Sequence, residues 1–477
     1  MRAARRAVLL AGGALALAAS PALADDLREA LTSAYLTNPT LQAARANERA
    51  TDESLPIARA AGLPSLSGTA SYTEDLDKSS PTGPDRIFAA GATLGVPIYS
   101  GGAVKNQMRA AETRIKAGQA DLRSTESAVF SSVVAAYVDV IRDEAIVGLR
   151  RKSAQVLDVN LQSTRDRFEI GDLTRTDVAQ SQARLATAHA NLRSAEATLA
   201  TSRERYIQLV GKAPGALEAP PPLPGLPASA EEAVQFALES NPDLLAARER
   251  SKAAGFDSNA AGAGRLPRVT VFTEVDHTDY LGTLGGGVLN QRATNTSAGV
   301  RATIPIFSGG LPAAQQRQAR ARESATLEQE IGVERQVIAA VRSAWSQYQA
   351  SMEVIESSQT AVDAAALSLE GVRAENTVGN RTILDILNAE QELVNAEVNL
   401  VQARRNAYVT GFNLLSAMGR AEARDLGLDG GALYDPMANY KRVHGKVFDW
   451  DLDPKPTARA TRTVDTPVQG GSIPPLK

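Results

Sequence analysis

Side chains that commonly carry out chemistry are scarce or scattered in this sequence. It has no cysteine, which excludes disulfides, thiolate metal ligands, cysteine nucleophiles and a lipid anchor on cysteine. Its histidines, His189, His277 and His444, lie far apart and form no metal-ligand spacing. The motifs HExxH, GxSxG and the P-loop do not occur. We therefore expect no enzymatic activity, no cofactor and no bound metal.

The remaining chemistry is electrostatic. The formal net charge is −3, so no basic excess points to nucleic acid as a partner. Arg381 and Asp385 are four residues apart, which places them on one face of a helix. Asp385 has a counterpart in Asp177, and each aspartate follows a glycine and a threonine at the same spacing. Such aspartates can act as solvated helix-face residues, as helix caps or as part of a charged site.

The N-terminus has the features of a targeting segment. Arg2, Arg5 and Arg6 precede an apolar run over residues 7–19, and Ala22–Ala24 forms an A-x-A cleavage site. This order predicts a secretory signal peptide over residues 1–24. A short membrane anchor is the alternative, but the run is shorter than the roughly 20 residues that a span needs. We expect no transmembrane helix in the mature chain.

The rest of the chain is an internal duplication. Ala30–Arg45 resembles Ala233–Arg248, and both segments contain an Asn-Pro pair. Further along, Val96–Gly102 matches Ile304–Gly310 in the pattern [VI]-Pro-Ile-[YF]-Ser-Gly-Gly. A collinear series of such pairs predicts two structural repeats over residues 25–211 and 233–419, joined by a linker over residues 212–232.

Each repeat is predicted to contain a helix, two strands, a long helix and a returning helix. The strands are expected at about 65–75, 87–99, 268–278 and 295–307, where apolar and polar residues alternate. Long helices are expected at about 102–168 and 311–376, and returning helices at about 175–210 and 382–418. The returning helices repeat every seven residues, as in the column Val178, Leu185, Leu192, Leu199 and Tyr206.

The helices decide between two interpretations of the strands. Alternating strands fit a half-buried sheet of a soluble protein as well as an outer-membrane barrel. Each long helix would be a rod of about 100 Å, and the sustained heptad period of the returning helices indicates coiled-coil packing. Four strands cannot close a barrel, so the subunit must oligomerise; three chains would supply twelve strands.

These features resemble the TolC family of bacterial outer-membrane export channels, in its unlipidated branch. The resemblance covers residues 25–428 and rests on the Asn-Pro pairs, the Ser-Gly-Gly junctions and the segments Arg167–Gly171 and Gly379–Leu387. It implies a mostly α fold with transmembrane β, in which a homotrimer forms a twelve-stranded barrel in the outer membrane and a helical tunnel in the periplasm. Residues 212–232 and 420–450 would form an equatorial belt, and residues 451–477 are expected to be disordered.

The resemblance also implies function and partners. The protein would be the passive exit duct of a tripartite efflux or type I secretion system. Its partners would be a periplasmic adaptor, an inner-membrane pump or ABC exporter, and outer-membrane lipid. The alternative is a periplasmic coiled-coil adaptor, which is also long, helical and exported but would lack four strands in two loop-joined pairs.

Site residues follow from the same resemblance. Asp385 would form a ring at the periplasmic entrance, where it attracts cations. Asn388 stands where many members have a second aspartate, so one ring is expected to be lost and cation block weakened. Asp177 and Arg381 would form an ionic pair that holds neighbouring helices together and closes the tip.

Gly171 and Gly379 are the expected turns between the long and returning helices. They are most simply turn glycines that need a positive φ angle. The tips that they shape would be the parts that the adaptor grips.

Overall fold

The computed structural model of the protein describes residues 26–77, 83–428 and 433–473. The predicted signal peptide, residues 1–24, lies outside the described residues. The described residues are mostly helical and form one antiparallel sheet of four strands, as predicted. Among the described residues, no helix combines the length and apolarity that a transmembrane helix requires.

Over residues 26–77 and 83–211, the first repeat has five helices and two strands. In chain order they are α1 (Leu27–Thr37), α2 (Pro39–Asp52), α3 (Ser54–Ala60), β1 (Ser65–Glu74), β2 (Arg86–Tyr99), α4 (Ala103–Glu169) and α5 (Arg175–Val210).

The second repeat has the same order with one helix fewer before its strands. Its elements are α6 (Ala230–Ser240), α7 (Pro242–Gly262), β3 (Arg268–Asp279), β4 (Arg292–Thr303), α8 (Leu311–Thr377) and α9 (Ile383–Ala417). A short helix, α10 (Pro436–Val443), follows it.

The Asn-Pro pairs divide what the sequence suggested as one helix. Asn38 has an extended backbone, because the following proline disfavours helical geometry, and its side-chain oxygen accepts from the first N–H groups of α2. Its amide nitrogen donates to the carbonyl of Leu209 at the end of α5, at 3.0 Å. Asn241 does the same with Ala417 of α9, at 2.9 Å. Each asparagine therefore connects the start of the helix that follows it, α2 or α7, to the end of a returning helix, α5 or α9.

The sheet has the order β1-β2-β3-β4. Leu66 lies opposite Leu94, and Val96 lies opposite Val271, so the alternation of the strands places apolar side chains on one face. β4 ends at Thr303, four residues earlier than expected. Arg268, the first residue of β3, pairs with Thr303, so residues beyond it have no strand to pair with.

The long helices form rods of about 100 Å, since each has 67 residues. α5 packs along one half of α4 and α1–α3 along the other half. The largest buried side chains, such as Phe130, Tyr137 and Tyr206, lie where these two halves meet. The rings of Tyr137 and Tyr206 are 6.5 Å apart between their centroids. The core is thus a central band, from which the strands extend in one direction and the helical tips in the other.

The C-terminal segment makes side-chain contacts with the rest of the chain. Residues 451–473 have no helix or strand, and their last part, from about residue 461, lies beside α5. Arg203 of α5 donates to the carbonyl of Gly470, at 2.6 Å, and Arg151 of α4 donates to that of Ile473, at 3.1 Å. Arginine side chains that bind backbone carbonyls supply the contacts that composition alone did not indicate.

Candidate functional site

The tips of the two helical hairpins are built in the same way. Gly171 and Gly379 have φ angles of 82° and 83°, in the left-handed region that glycine adopts without strain. The N–H of Gly379 donates to Asn376, and that of Asn380 to Glu375, both at 3.0 Å. Equivalent bonds surround Gly171. These are Schellman motifs, which end α4 and α8 and reverse the chain.

Each returning helix then begins with a capping box. The N–H and hydroxyl of Thr382 donate to Asp385 Oδ2, at 2.9 and 2.8 Å, and the N–H of Asp385 donates back to the threonine. Thr174 and Asp177 form the same box at the start of α5. Hydrogen bonds from the backbone and hydroxyl of Thr382 lower the pKa of Asp385. Bonds from the Thr174 hydroxyl and backbone lower the pKa of Asp177. Both aspartates are therefore held in the ionised form.

The predicted ionic pair between Asp177 and Arg381 is not formed within the described chain. Arg381 instead reaches back across the turn, and its Nε donates to Glu375 at 2.7 Å. Asp177 is occupied by its own capping box. The physical reason is proximity: the Schellman turn brings the start of α9 beside the end of α8, whereas Asp177 belongs to the other hairpin.

Asn388 has a partner that sequence reasoning missed. Arg184 of α5 donates to Asn388 Oδ1 at 2.6 Å and so connects the two hairpins. Arg184 and Asn388 adjoin Leu185 and Leu387, which pack in one apolar cluster between α5 and α9. The signal that could have found this pair is the heptad pattern, because residues beside a coiled-coil column face the partner helix. The pattern does not, however, say which partner residue is met.

A further ion pair fastens α8 to α9. Arg373 pairs with Glu390, whose side chain is almost fully buried. Asn376 adds a hydrogen bond from its amide to the carbonyl of Arg381, at 2.7 Å. The predicted site residues thus fall into two capped tips, with Asp385 and Asn388 one turn apart on α9. Among the described residues, no cluster of three or more His, Cys, Asp or Glu side chains could hold a metal ion.

Comparisons with known proteins agree with this architecture. The family described as outer membrane efflux protein matches residues 30–212 and 233–420, which correspond to the two repeats. The outer membrane efflux protein BepC of Brucella suis is 36% identical over 443 residues, covering 93% of this chain and 95% of BepC. The outer membrane protein TolC of Escherichia coli is 27% identical over 451 residues, covering 90% of this chain and 89% of TolC.

Solved structures show the same fold. The CmeC outer membrane channel of Campylobacter jejuni matches with a TM-score of 0.73 at 16% identity, covering 88% of this chain and 89% of that one. The predicted fold class, a TolC-like subunit with four barrel strands and a long helical tunnel, is confirmed. The predicted location in the outer membrane is confirmed by the family match and by BepC. The chain therefore belongs to the outer membrane efflux protein family and is a channel protein of the bacterial outer membrane.

Proposed function

We propose that three copies of this chain form the exit duct of a tripartite efflux or type I secretion system. The observation that carries this proposal is the four-stranded sheet with two open edges. Among the described strands, β1 pairs only with β2 and β4 only with β3. Open edges are not tolerated in lipid, so the outer strands require partners from other copies. Three copies supply twelve strands, which is wide enough for a channel.

The two faces of the sheet support a water-filled barrel. Val271, Val275 and Val300 lie on one face, and Glu274 and Asp276 lie on the other. An apolar face fits outer-membrane lipid, and a polar face fits an aqueous lumen.

The duct is passive in this proposal. The sequence has no nucleotide-binding motif, so energy must come from a partner. That partner would be an inner-membrane pump or ABC exporter, joined to the duct by a periplasmic adaptor. The turns at Gly171 and Gly379 project from the hairpin ends and are the surfaces that we assign to adaptor contact. Residues 1–24 would direct export and be removed.

Asp385 is the residue that we assign to the periplasmic entrance. Three ionised copies facing a narrow lumen would attract cations and repel anions. Asn388, one turn further along α9, would line the same constriction.

Planar-bilayer recording tests the proposal. Outer-membrane protein should migrate as an oligomer when it is not boiled and insert pores of low conductance, because the resting tip is closed. A protein that fractionates with the soluble periplasm and forms no pores would favour the adaptor alternative. High conductance in the unmodified protein would contradict a closed resting state.

A further inference from the structure

We propose that Arg184 sets the charge selectivity of the periplasmic entrance by neutralising a second layer of charge behind Asp385. This inference rests on the proposed function, because it requires Asp385 to face the lumen. It goes further by assigning to this chain a weak cation preference, and hence tolerance of anionic substrates.

The position of Arg184 carries the first step. Its guanidinium donates to Asn388 Oδ1 at 2.6 Å, and Asn388 lies three residues after Asp385 on α9. Three residues correspond to a rise of about 4.5 Å along the helix axis. This rise is shorter than the Debye length of about 8 Å at physiological salt, which is the range over which salt leaves charges largely unscreened.

The second step concerns the charge of Arg184, which is not balanced by an ion pair within the part of the chain that the structure describes. Among the described residues, no carboxylate forms an ion pair with Arg184, and its hydrogen-bond partner Asn388 is neutral. Two other arginines differ in this respect: Arg193 on the same helix pairs with Glu196 at 2.8 Å, and Arg381 pairs with Glu375. Arg184 therefore contributes a full positive charge to the region.

The duplication supplies the third step. Arg184 follows Asp177 by seven residues, and Glu392 follows Asp385 by seven residues. Seven residues are two helical turns, so each pair lies on one face of its helix. If the aspartates form one acidic layer, the backbone positions of Arg184 and Glu392 form the next, and the Arg184 side chain reaches from there towards the tip to contact Asn388. That second layer alternates in sign and has no net charge, which leaves a single acidic layer at the entrance.

Ion selectivity in planar bilayers tests the role of Arg184. Arg184→Gln makes the second layer acidic, so the permeability ratio of potassium to chloride should rise about twofold or more. The concentration of hexaamminecobalt(III) that blocks half the current should fall about threefold or more. Arg184→Lys keeps the charge and should resemble the wild type. Arg193→Gln is the matched control, since that arginine is already paired on its own helix, and should change neither quantity.

Asn388→Asp provides a second, independent variant. With Arg184 present, the new carboxylate would pair with the guanidinium and block should change less than about twofold. In combination with Arg184→Gln, the same substitution should deepen block well beyond either single change. Strong deepening by Asn388→Asp alone would overturn the proposal.

Two further outcomes separate this inference from the proposed function. If Asp385→Asn alters selectivity but Arg184→Gln does not, the entrance is correctly located and the role of Arg184 is wrong. If no variant alters selectivity, or the wild type forms no pores, the proposed entrance or duct fails and the inference with it.

Discussion

Asp177 and Asp385 each hold the first turn of a returning helix while presenting an ionised carboxylate at a hairpin tip. The two tasks support each other, because a carboxylate that accepts two hydrogen bonds from its threonine resists protonation. A capping role and an electrostatic role are thus compatible at one residue. A substitution that separates them is Asp385→Asn, which removes the charge but keeps an oxygen that can accept the capping bonds.

The lowered pKa of Asp385 predicts that cation block persists in acid. The charge is present above the folded-state pKa and is lost as the pH falls through it, so loss should occur below the usual aspartate value of about 4. We expect half-blocking concentrations of hexaamminecobalt(III) in bilayers to agree at pH 7 and at about pH 4. Asp385→Asn should weaken block at both. If half of the cation block disappears at about pH 4, the capping box does not keep the Asp385 carboxylate ionised.

The turn at Gly379 requires glycine because of its backbone conformation and not because of side-chain packing. A Cβ atom added to Gly379 would meet nothing within 4 Å, so packing does not decide its replacement. The positive φ angle does, because it costs an L-residue roughly 1–2 kcal/mol.

Gly379→Ala should therefore weaken the tip by about 1 kcal/mol, measured as faster hydrogen exchange in residues 375–386. Gly371→Ala is the matched control. Gly371 lies within α8, and a Cβ there also meets nothing within 4 Å. Alanine should stabilise that helix by about 0.5–1 kcal/mol. Equal effects of the two substitutions would contradict a strained turn.

A buried polar cluster fastens α10 and the segment before it to α2. Tyr434 donates to Glu48 Oε2 at 2.9 Å, and Asn439 donates to Asp52 Oδ2 at 2.8 Å. Arg45 lies between the rings of Tyr35 and Tyr434, 4.2 and 5.1 Å from their centroids. Glu48 and Asp52 are both almost fully buried. Burial is the main reason that the pKa of Glu48 is raised to about 7; the charge of Asp52 acts in the same direction, whereas Tyr434 and Arg49 lower the pKa.

This cluster predicts that α10 loosens as the pH rises. A carboxyl group whose folded-state pKa is raised contributes stability below its unfolded pKa, and that stability is lost as the pH rises towards 7. The loss is up to about 3 kcal/mol, since one pKa unit corresponds to about 1.4 kcal/mol. Hydrogen exchange of residues 436–443, corrected for the intrinsic rate, should accelerate between about pH 5 and pH 8.

Glu48→Gln removes the ionisable group and should flatten that pH profile. Glu53→Gln, at a glutamate just beyond Asp52, should leave the profile as in the wild type. A profile that keeps its slope in Glu48→Gln would assign the pH dependence to another group of the cluster.

Assembly of the whole molecule depends on the open edges of the sheet. Because the chain has no cysteine, any disulfide between copies must come from introduced residues. Thr69 on β1 and Asn295 and Ser297 on β4 lie on the same polar face, at the two open edges.

Pairing Thr69→Cys with a cysteine at Asn295 or Ser297 should give covalent species of two and three chains, and no larger, on boiled non-reducing gels. Thr69→Cys alone should give no species of three chains, because a single cysteine can join only two. A ladder extending beyond three chains would contradict a closed trimeric barrel.

Local patterns in the sequence were sufficient for the elements and their order. Alternation along the strands, the seven-residue columns of α5 and α9 and the absence of proline from most of α4 and α8 reflect burial and turn chemistry, which neighbouring residues determine. The duplication and the glycine turns at Gly171 and Gly379 are of the same kind. These features were enough to recognise the family and its fold.

The tertiary structure decided which residues meet across long separations. It paired Arg184 with Asn388 and Arg381 with Glu375, ended β4 at Thr303 and placed the segment from about residue 461 beside α5. A heptad shows which side chains face a neighbouring helix, but the identity and register of that neighbour depend on how every element packs. Charges at the tips are therefore visible in the sequence, whereas their partners become visible only when both hairpins are in place.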